Sequence, residues 1–380
     1  MEFENPMLDL LPPPGTKVAV GMSGGVDSSM AVWLLKQRGC EVIGLTMSLW
    51  NNQFPLQDTG VKGCFGPGEE QEIEMAKSVA KRLEIPFHVI PLADEYNEAV
   101  LEYFRQEYLA GRTPNPCVRC NRTIKFGFLI ERAEKAGIPF DYFATGHYAR
   151  VHFDPMQNRY LLLRGIDLEK DQSYFLAMLQ QEQLKKIVFP LGNLTKSQIR
   201  RLAQNAGFPE LAEQSESQDF LESNKYDVLF REEEVKEGDI VDEKGHILGK
   251  HHGIVHYTIG QRKGLGIGGA GEPYYVIGLD PKNNRVIVGR KPALLKQAMR
   301  VIDCNWVSIP NVPNTPMKIR CKIRLRHEPA SAQLEKVDEY GKIVRVTFDE
   351  PQSAITPGQT AVFYNNDIVL GAGTIDSVEK

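Results

Sequence analysis

Residues 21–29 read Gly21-Met22-Ser23-Gly24-Gly25-Val26-Asp27-Ser28-Ser29, after a short apolar run, Lys17-Val18-Ala19-Val20. The paired glycines let the backbone bend close to a bound phosphate with no Cβ in the way. The run from Ser28 to Leu35 reads as a helix whose unpaired first-turn N–H groups and positive dipole end would face the same anion. A second concentration of chemistry spans residues 111–126 and includes Pro114-Asn115-Pro116-Cys117-Val118-Arg119-Cys120. Its two prolines predict a stiff, extended loop that presents Cys117 and Cys120. Arg112, Arg119, Arg122 and Lys125 surround them, and nearby positive charge lowers a thiol pKa. A lone Cys-X-X-Cys serves as half a zinc site, a redox pair, iron–sulfur ligands or an attacking thiolate. No second pair and no spaced histidines complete a zinc site here.

From about residue 16 to 210, strand-like runs alternate with helical ones. Val18–Gly21, Val42–Ser48, Phe87–Ile90 and Tyr142–Gly146 read as strands. The runs 28–38, Glu69–Leu83, Asp94–Ala110 and Lys125–Ala136 read as helices. Such alternation predicts a parallel sheet with helices on both faces. Ligands of such sheets bind beyond the carboxyl ends of the strands, where Ser23–Ser28, Met47 and Gly146–His147 would lie. Beyond about residue 210 the texture turns acidic, glycine-rich and β-like. From about 295 onward, Lys318–Leu325 and Val344–Phe348 alternate as strands of a barrel or sandwich do.

The chain has 380 residues, 42% hydrophobic and 25% charged, which predicts a globular protein of two or three domains. Its net charge of −4 excludes a uniformly basic nucleic-acid coat but not a local basic patch. The acidic start, Met1 to Pro6, lacks a signal peptide's apolar core, and no segment has the length of a membrane span, so a cytoplasmic location is expected. Six cysteines in such a chain argue for individual roles rather than a disulfide scaffold. Cys40, Cys304 and Cys321 read as core residues.

Ser23-Gly24-Gly25-Val26-Asp27-Ser28 lacks the Gly-Lys-Ser/Thr of a Walker A loop and the spaced glycines of a dinucleotide site. It resembles the PP-loop of ATP pyrophosphatases, which split ATP between the α and β phosphates and adenylate an oxygen of a second substrate. The likeness extends further. Gly21–Ser29, the 111–126 segment, Ala144–Tyr148 and Lys170–Phe175 occur in this order in the tRNA-specific 2-thiouridylases. Gly249–Gly253, Tyr257–Gly264 and Pro357–Gln359 match as well, so the resemblance spans nearly the whole chain.

That resemblance implies an α/β fold: a PP-loop (adenine nucleotide α-hydrolase-like) parallel-sheet domain over 1–212, a small β-rich central module over 213–293 and a C-terminal β-barrel over 294–380. It implies an ATP- and Mg²⁺-dependent sulfurtransferase that adenylates the C2 oxygen of a wobble uridine in tRNA and replaces it with sulfur. Gly21, Met22, Ser23, Gly24, Gly25, Val26, Asp27 and Ser28, with Met47 and Gly146, would hold the nucleotide. By the same resemblance Asp27 would be the metal-associated carboxylate, although a helix N-terminal acid also suits the dipole. Cys120 matches the attacking cysteine. Asn115, Pro116, Cys117, His147, Lys170, Asp171, Gln172, Arg324 and Gln359 stand at tRNA-contacting positions. His147 also reads as an ordinary hydrogen-bonded histidine after a strand. Lys322, Arg324, Arg326 and His327 suit one face of a strand, as phosphate contacts or as a solvated surface.

Two departures bear on sulfur transfer. Many members have Asp where Cys117 stands. The family's second, persulfide-carrying cysteine follows the equivalent of Glu216-Ser217-Gln218-Asp219, where this chain continues Phe220-Leu221-Glu222-Ser223. Either Cys117 carries the persulfide and exchanges with Cys120, or the two ligate a [4Fe-4S] cluster. The third ligand would then be Cys64, in the glycine-rich loop 62–68, although Cys64 also reads as an ordinary loop residue. A third possibility is that thiolation is lost or a different RNA nucleoside is modified. A sulfur donor, such as a cysteine desulfurase or relay protein, is the expected partner. The rival readings are another PP-loop adenylating ligase and an inactive RNA-binding homologue.

Overall fold

Val18, Ala19 and Val20 are wholly buried, as expected of a central parallel strand covered on both faces. The computed structural model describes residues 10–54, 56, 63–213, 220–222, 226–268 and 272–379. The stretch Glu216–Asp219 lies outside them. The chain divides into two compact units: Met1–Ala99 with Cys117–Asn224 and Asp367–Val369, and Val100–Pro116 with Lys225–Asn366 and Leu370–Lys380.

In the first unit the strands are β1 (Lys17–Gly21), β2 (Glu41–Ser48), β3 (Phe87–Pro91) and β4 (Tyr142–Thr145). A hairpin of β5 (Ala149–Asp154) and β6 (Arg159–Arg164) follows, then β7 (Ile187–Val188). The sheet order is β3-β2-β1-β4-β7, parallel throughout. The antiparallel β5–β6 hairpin departs from the strict alternation expected up to residue 210. Its second strand pairs with Ile368 and Val369.

Helix α1 (Val26–Gln37) buries Met30, Ala31, Val32, Leu34 and Leu35 against the sheet and against Ile199 and Ala203 of the Lys196–Asn205 helix. It begins at Val26, so Val26 and Asp27 lie inside its first turn rather than in the preceding loop. Helix α2 (Glu69–Arg82) carries Glu69, Glu70 and Glu72 in its first turn and Lys81 and Arg82 in its last, as the dipole favours. The 93–109 helix contains a π-helical turn at Asn97–Leu101.

The cysteine segment differs most from expectation. Helical backbone starts at Pro116 and runs through Cys117 and Cys120 and a π-helical stretch, Asn121–Phe128, to Lys135. Only residues 112–115 before it are irregular. Proline at a first helical position has its φ already set and needs no N–H partner, so Pro116 starts a helix here rather than prolonging a loop.

The second unit holds two β structures. In one, β8 (Gly238–Val241), β9 (Ile247–His251), β10 (Tyr275–Asp280) and β11 (Arg285–Gly289) are ordered β10-β11-β8-β9 over a core that includes Ile240, Val255, Val276, Val286 and Val288. In the other, the strands are β12 (Leu295–Trp306), β13 (Met317–Lys322), β14 (Ala330–Lys336), β15 (Val344–Ser353), β16 (Thr360–Asn365) and β17 (Ile368–Glu379). Their order is β12-β15-β14-β13-β16-β17, and β17 returns to pair with β12, which closes a six-stranded barrel. Ile319 and Cys321 point inward from β13 while Lys318 and Arg320 point out, the period of two that a barrel strand needs. The strand ends at Lys322, and His327 N–H donates back to Arg324 O. Arg324, Arg326 and His327 therefore lie in a turn, not on one strand face.

Cys304 and Cys321 are buried on β12 and β13, as their sequence context implies. Desolvation pushes the Cys304 thiol up to about 12. Cys40 is also buried but sits one residue before β2, its thiol donating to Pro12 O at 3.5 Å. Among the described residues no helix is long and apolar enough to cross a membrane.

Candidate active site

The turn from β1 into α1 is held by its own backbone and hydroxyls. Met22 N–H donates to Leu45 O at 2.7 Å, tying the loop to β2. Gly25 O accepts from the Ser29 hydroxyl at 2.8 Å and the Ser28 hydroxyl at 3.2 Å, and Ser23 N–H donates to Ser28 Oγ at 3.2 Å. Gly24 adopts a φ of +75°, and a Cβ there would lie 2.9 Å from Met75 Cβ and 3.0 Å from Ala76 N. A Cβ on Gly146, after β4, would come within 2.7 Å of Asp27 C and Ser28 N. Glycine is thus required at both places by close backbone approach. No side chain caps the start of α1. A helix start without a side-chain cap suits an anion.

Asp27 is the electrostatic centre of this site. Lys196 Nζ donates to both carboxylate oxygens, at 2.8 and 2.7 Å, and Tyr148 Oη donates to Oδ1 at 2.7 Å. Sequence reasoning missed Lys196 altogether. The one signal was its place directly after the Thr195 N-cap, where a cation opposes the helix dipole.

Met47, half-buried on β2, is followed by an irregular segment that Glu69 clamps. The Glu69 carboxylate accepts from Ser48 Oγ at 3.0 Å, Leu49 N at 2.5 Å and Trp50 N at 3.1 Å. Desolvation raises the Glu69 pKa against the pull of these donors.

One carboxylate with neighbouring serine hydroxyls, completed by nucleotide phosphate oxygens and water, is a usual donor set for Mg²⁺. The residues around Asp27 fit it. Among the described residues no three histidine, cysteine or carboxylate ligands meet at metal-binding distance.

Cys64, Cys117 and Cys120 all belong to the first unit. Cys120 is buried and Cys117 half-buried. Burial pushes the Cys120 thiol up, and the Lys125 ammonium and backbone N–H pull it down. Two of the expected arginines are engaged with other groups. Arg119 Nε donates to Ala99 O, and Arg112 pairs with Glu107 and Asp376 within the second unit. Desolvation therefore outweighs positive charge, opposite to the sequence expectation.

Cys64 is exposed at the surface but crowded by protein on its other sides. Desolvation, then the Cys117 and Cys120 thiols, raise its pKa. Its own thiol donates to Phe220 O at 3.5 Å. Around it, Gly68 N–H donates to buried Glu222 Oε2 at 2.7 Å, and Glu222 N–H donates to Phe65 O at 3.0 Å. The Cys64 loop is therefore bound to Phe220–Glu222.

The remaining predicted residues separate into two classes. His147 packs its ring between Phe126 and Phe189 and shares a 2.7 Å hydrogen bond with Thr145 Oγ1. Desolvation, then Lys125, hold its pKa well below the ordinary histidine value. Asp171 is buried and accepts from Arg164 Nε, Gly165 N, Ser173 N and Ser173 Oγ, all within 3.1 Å. Gln172 Oε1 accepts from Tyr148 N at 3.0 Å. These three side chains thus already make local contacts. Lys170 instead lines an open cavity of about 540 Å³ with Lys196, Arg200 and Arg201.

In the second unit, Arg324 and Gln359 line a separate cavity of about 450 Å³ with Thr113, Tyr275 and Lys291. Arg324 Nη1 donates to Ser353 O at 3.0 Å, and Gln359 Nε2 donates to Thr113 O at 3.0 Å. Asn115 and Pro116 follow Thr113 in the chain.

Residues 16–221 match the family described as tRNA methyl transferase HUP domain. Residues 226–290 match its PRC-barrel domain, and residues 296–375 match an aminomethyltransferase β-barrel domain. A tRNA-specific 2-thiouridylase MnmA of Endomicrobium trichonymphae is 46% identical over 94% of this chain and 98% of its own length. The protein of that name from Acetivibrio thermocellus is 44% identical over 94% and 99%. With identity at this level along both chains, and with the cradle around Asp27 formed, this chain belongs to the tRNA-specific 2-thiouridylase family.

Proposed function

We propose that this protein is an ATP-dependent tRNA-uridine 2-sulfurtransferase, acting in the cytoplasm. The C2 oxygen of the wobble uridine attacks the ATP α-phosphorus and pyrophosphate leaves. A protein-borne sulfur then attacks C2, and AMP departs with the original oxygen. The observation that carries this reading is the paired glycine cradle at the uncapped start of α1, with Asp27 in its first turn. Helix N–H groups and a carboxylate-held Mg²⁺ there would stabilise charge on the departing pyrophosphate. Gly21–Ser28, Met47 and Gly146 would hold the nucleotide.

The same reading divides the work among residues 1–212 for catalysis, 213–293 as an adaptor and 294–380 as the barrel. Asn115, Pro116, Cys117, His147, Lys170–Gln172, Arg324 and Gln359 serve tRNA binding. Of these, Lys170, Arg324 and Gln359 line cavities.

For sulfur delivery the reading assigns Cys120 as the attacking thiol, with Cys117 and Cys64 as its companions. A persulfide on one companion gives its outer sulfur to C2. A second thiolate then attacks the inner sulfur, leaving a protein disulfide that a cellular dithiol reduces. Cys117 and Cys120, close enough to raise the Cys64 pKa, also make with it a thiol set that suits a [4Fe-4S] cluster by number and donor type. They do not meet at ligand distance, so no step is assigned to a cluster. Anaerobic purification with iron and sulfide quantitation separates the two routes. Iron-free, active protein supports the persulfide; about three or more irons per chain, lost together with thiolation in Cys64→Ser, support the cluster. A Cys64→Ser protein unchanged in both respects removes Cys64 from either route.

A further inference from the structure

Lys196 is nearly buried, with a side chain 8% exposed, and its ammonium bridges both oxygens of Asp27. It stands at the first position of the Lys196–Asn205 helix, where the dipole repels a cation. The turn is fixed around it. Thr195 and Gln198 form a capping box, and Lys196 N–H donates to Asp167 Oδ2 at 2.9 Å. Tyr148 completes the shell, donating to Asp27 and setting its ring 5.7 Å from the ammonium. Beside this pair opens the cavity lined by Lys170, Arg200 and Arg201, with Asp167 and Glu169 as its acids.

An acid waiting for Mg²⁺ is commonly left open to water. Here the carboxylate already carries a cation, held against its own helix field. Resting on the nucleotide reading above, we propose that Lys196 is the built-in counter-ion of Asp27, a positioning residue that gives the carboxylate up to the metal when nucleotide arrives. The released ammonium then turns toward the polyphosphate, on the side where Lys170, Arg200 and Arg201 favour an anion. Metal uptake is thus an exchange of cations on Asp27. Without nucleotide, Lys196 outcompetes the metal at low metal concentration and yields only to millimolar ion, so the empty site keeps its geometry and does not collect divalent ions unproductively.

The test is Mn²⁺ binding to the nucleotide-free full chain, read by electron paramagnetic resonance. Lys196→Met should bind Mn²⁺ at least about tenfold more tightly than wild type, since the competing cation is gone. Lys196→Arg should restore weak binding, and Asp27→Asn in the Lys196→Met background should abolish the gain. A purely structural lysine would lower the melting temperature of Lys196→Met and leave metal affinity unchanged, which overturns the proposal.

Wild-type protein supplies an arm that needs no variant to fold. Mass-spectrometric mapping of lysine methylation should find Lys196 protected alone and more reactive with millimolar Mn²⁺. Equal protection in both states counts against the exchange. If wild type fails to bind Mn²⁺ even with ATP, the nucleotide reading itself falls. If it binds Mn²⁺–ATP but Lys196→Met gains nothing, only the exchange falls.

Discussion

Asp27 is held from several directions before any ligand arrives, by Lys196, by Tyr148 and by the backbone packed under Gly146. The cysteines are arranged differently. Cys64, Cys117 and Cys120 face one another electrostatically, burial raises two of their thiols, and Lys125 is the cation that opposes it. The phosphate end is ordered for a transition state whose charge is known in advance. At the sulfur end, burial favours the thiol form of Cys64 and Cys120 over the thiolate. The contrast teaches which half of the reaction is built into the resting protein. Stabilising a leaving pyrophosphate calls for rigidity, whereas passing sulfur between thiols needs atoms that can move and change charge.

Three perturbations separate the two ends, and a fourth probes what lies between them. The largest effect is expected from Asp27→Asn, which should lower tRNA-dependent AMP and pyrophosphate formation on the order of a thousandfold. Normal rates in that variant would remove Asp27 from the phosphate end. Next, Cys120→Ser should abolish thionucleoside formation while AMP release stays within about tenfold of wild type. If AMP release collapses as well, the two ends are not separable.

Gly146→Ala should be milder. Its new Cβ presses on the Asp27 backbone, so KM for ATP should rise about tenfold with a stability loss of about 1–3 kcal/mol. An unchanged KM would show that the cradle yields. The smallest effect concerns pH. His147 has a folded pKa below its unfolded one, so the unfolded chain alone takes up a proton below about pH 6.5. Stability should therefore be complete above that pH and fall by up to about 1.4 kcal/mol per unit below it. His251 and His327 are shifted the same way. Replacing His147 with Gln should flatten the acid limb of a melting-temperature profile, and an identical profile would contradict the histidine's neutral burial.

The glycine loop was legible because its rules are local: a strand, two glycines and a helix start fall within a dozen residues. The parallel sheet followed from the same alternation. What holds the loop was not legible. Lys196 lies 169 residues from Asp27, and Glu222 lies 154 from Gly68. No periodicity encodes such pairings.

The cysteine segment was misjudged for another reason. Pro114 and Pro116 argue for stiffness, but Pro116 also suits the first turn of a helix, and burial of Val118 and Cys120 decided between them. Likewise the arginines around Cys120 look like activators on paper. In the fold Arg119 is committed to Ala99 O and Arg112 to Glu107. The alternation through Arg324 failed because the strand ends at Lys322, where the chain turns back through the Arg324–His327 hydrogen bond.

The central claim joins the two ends in one reaction, and one measurement tests it directly. Purified full-length protein is given unmodified tRNA, ATP, Mg²⁺ and a persulfide or sulfide source, and the digested nucleosides are separated by liquid chromatography and weighed. The account predicts 2-thiouridine at the wobble position, appearing in step with AMP and pyrophosphate and absent without ATP. AMP release with no thionucleoside, or a sulfur-free adduct on another substrate, would contradict it.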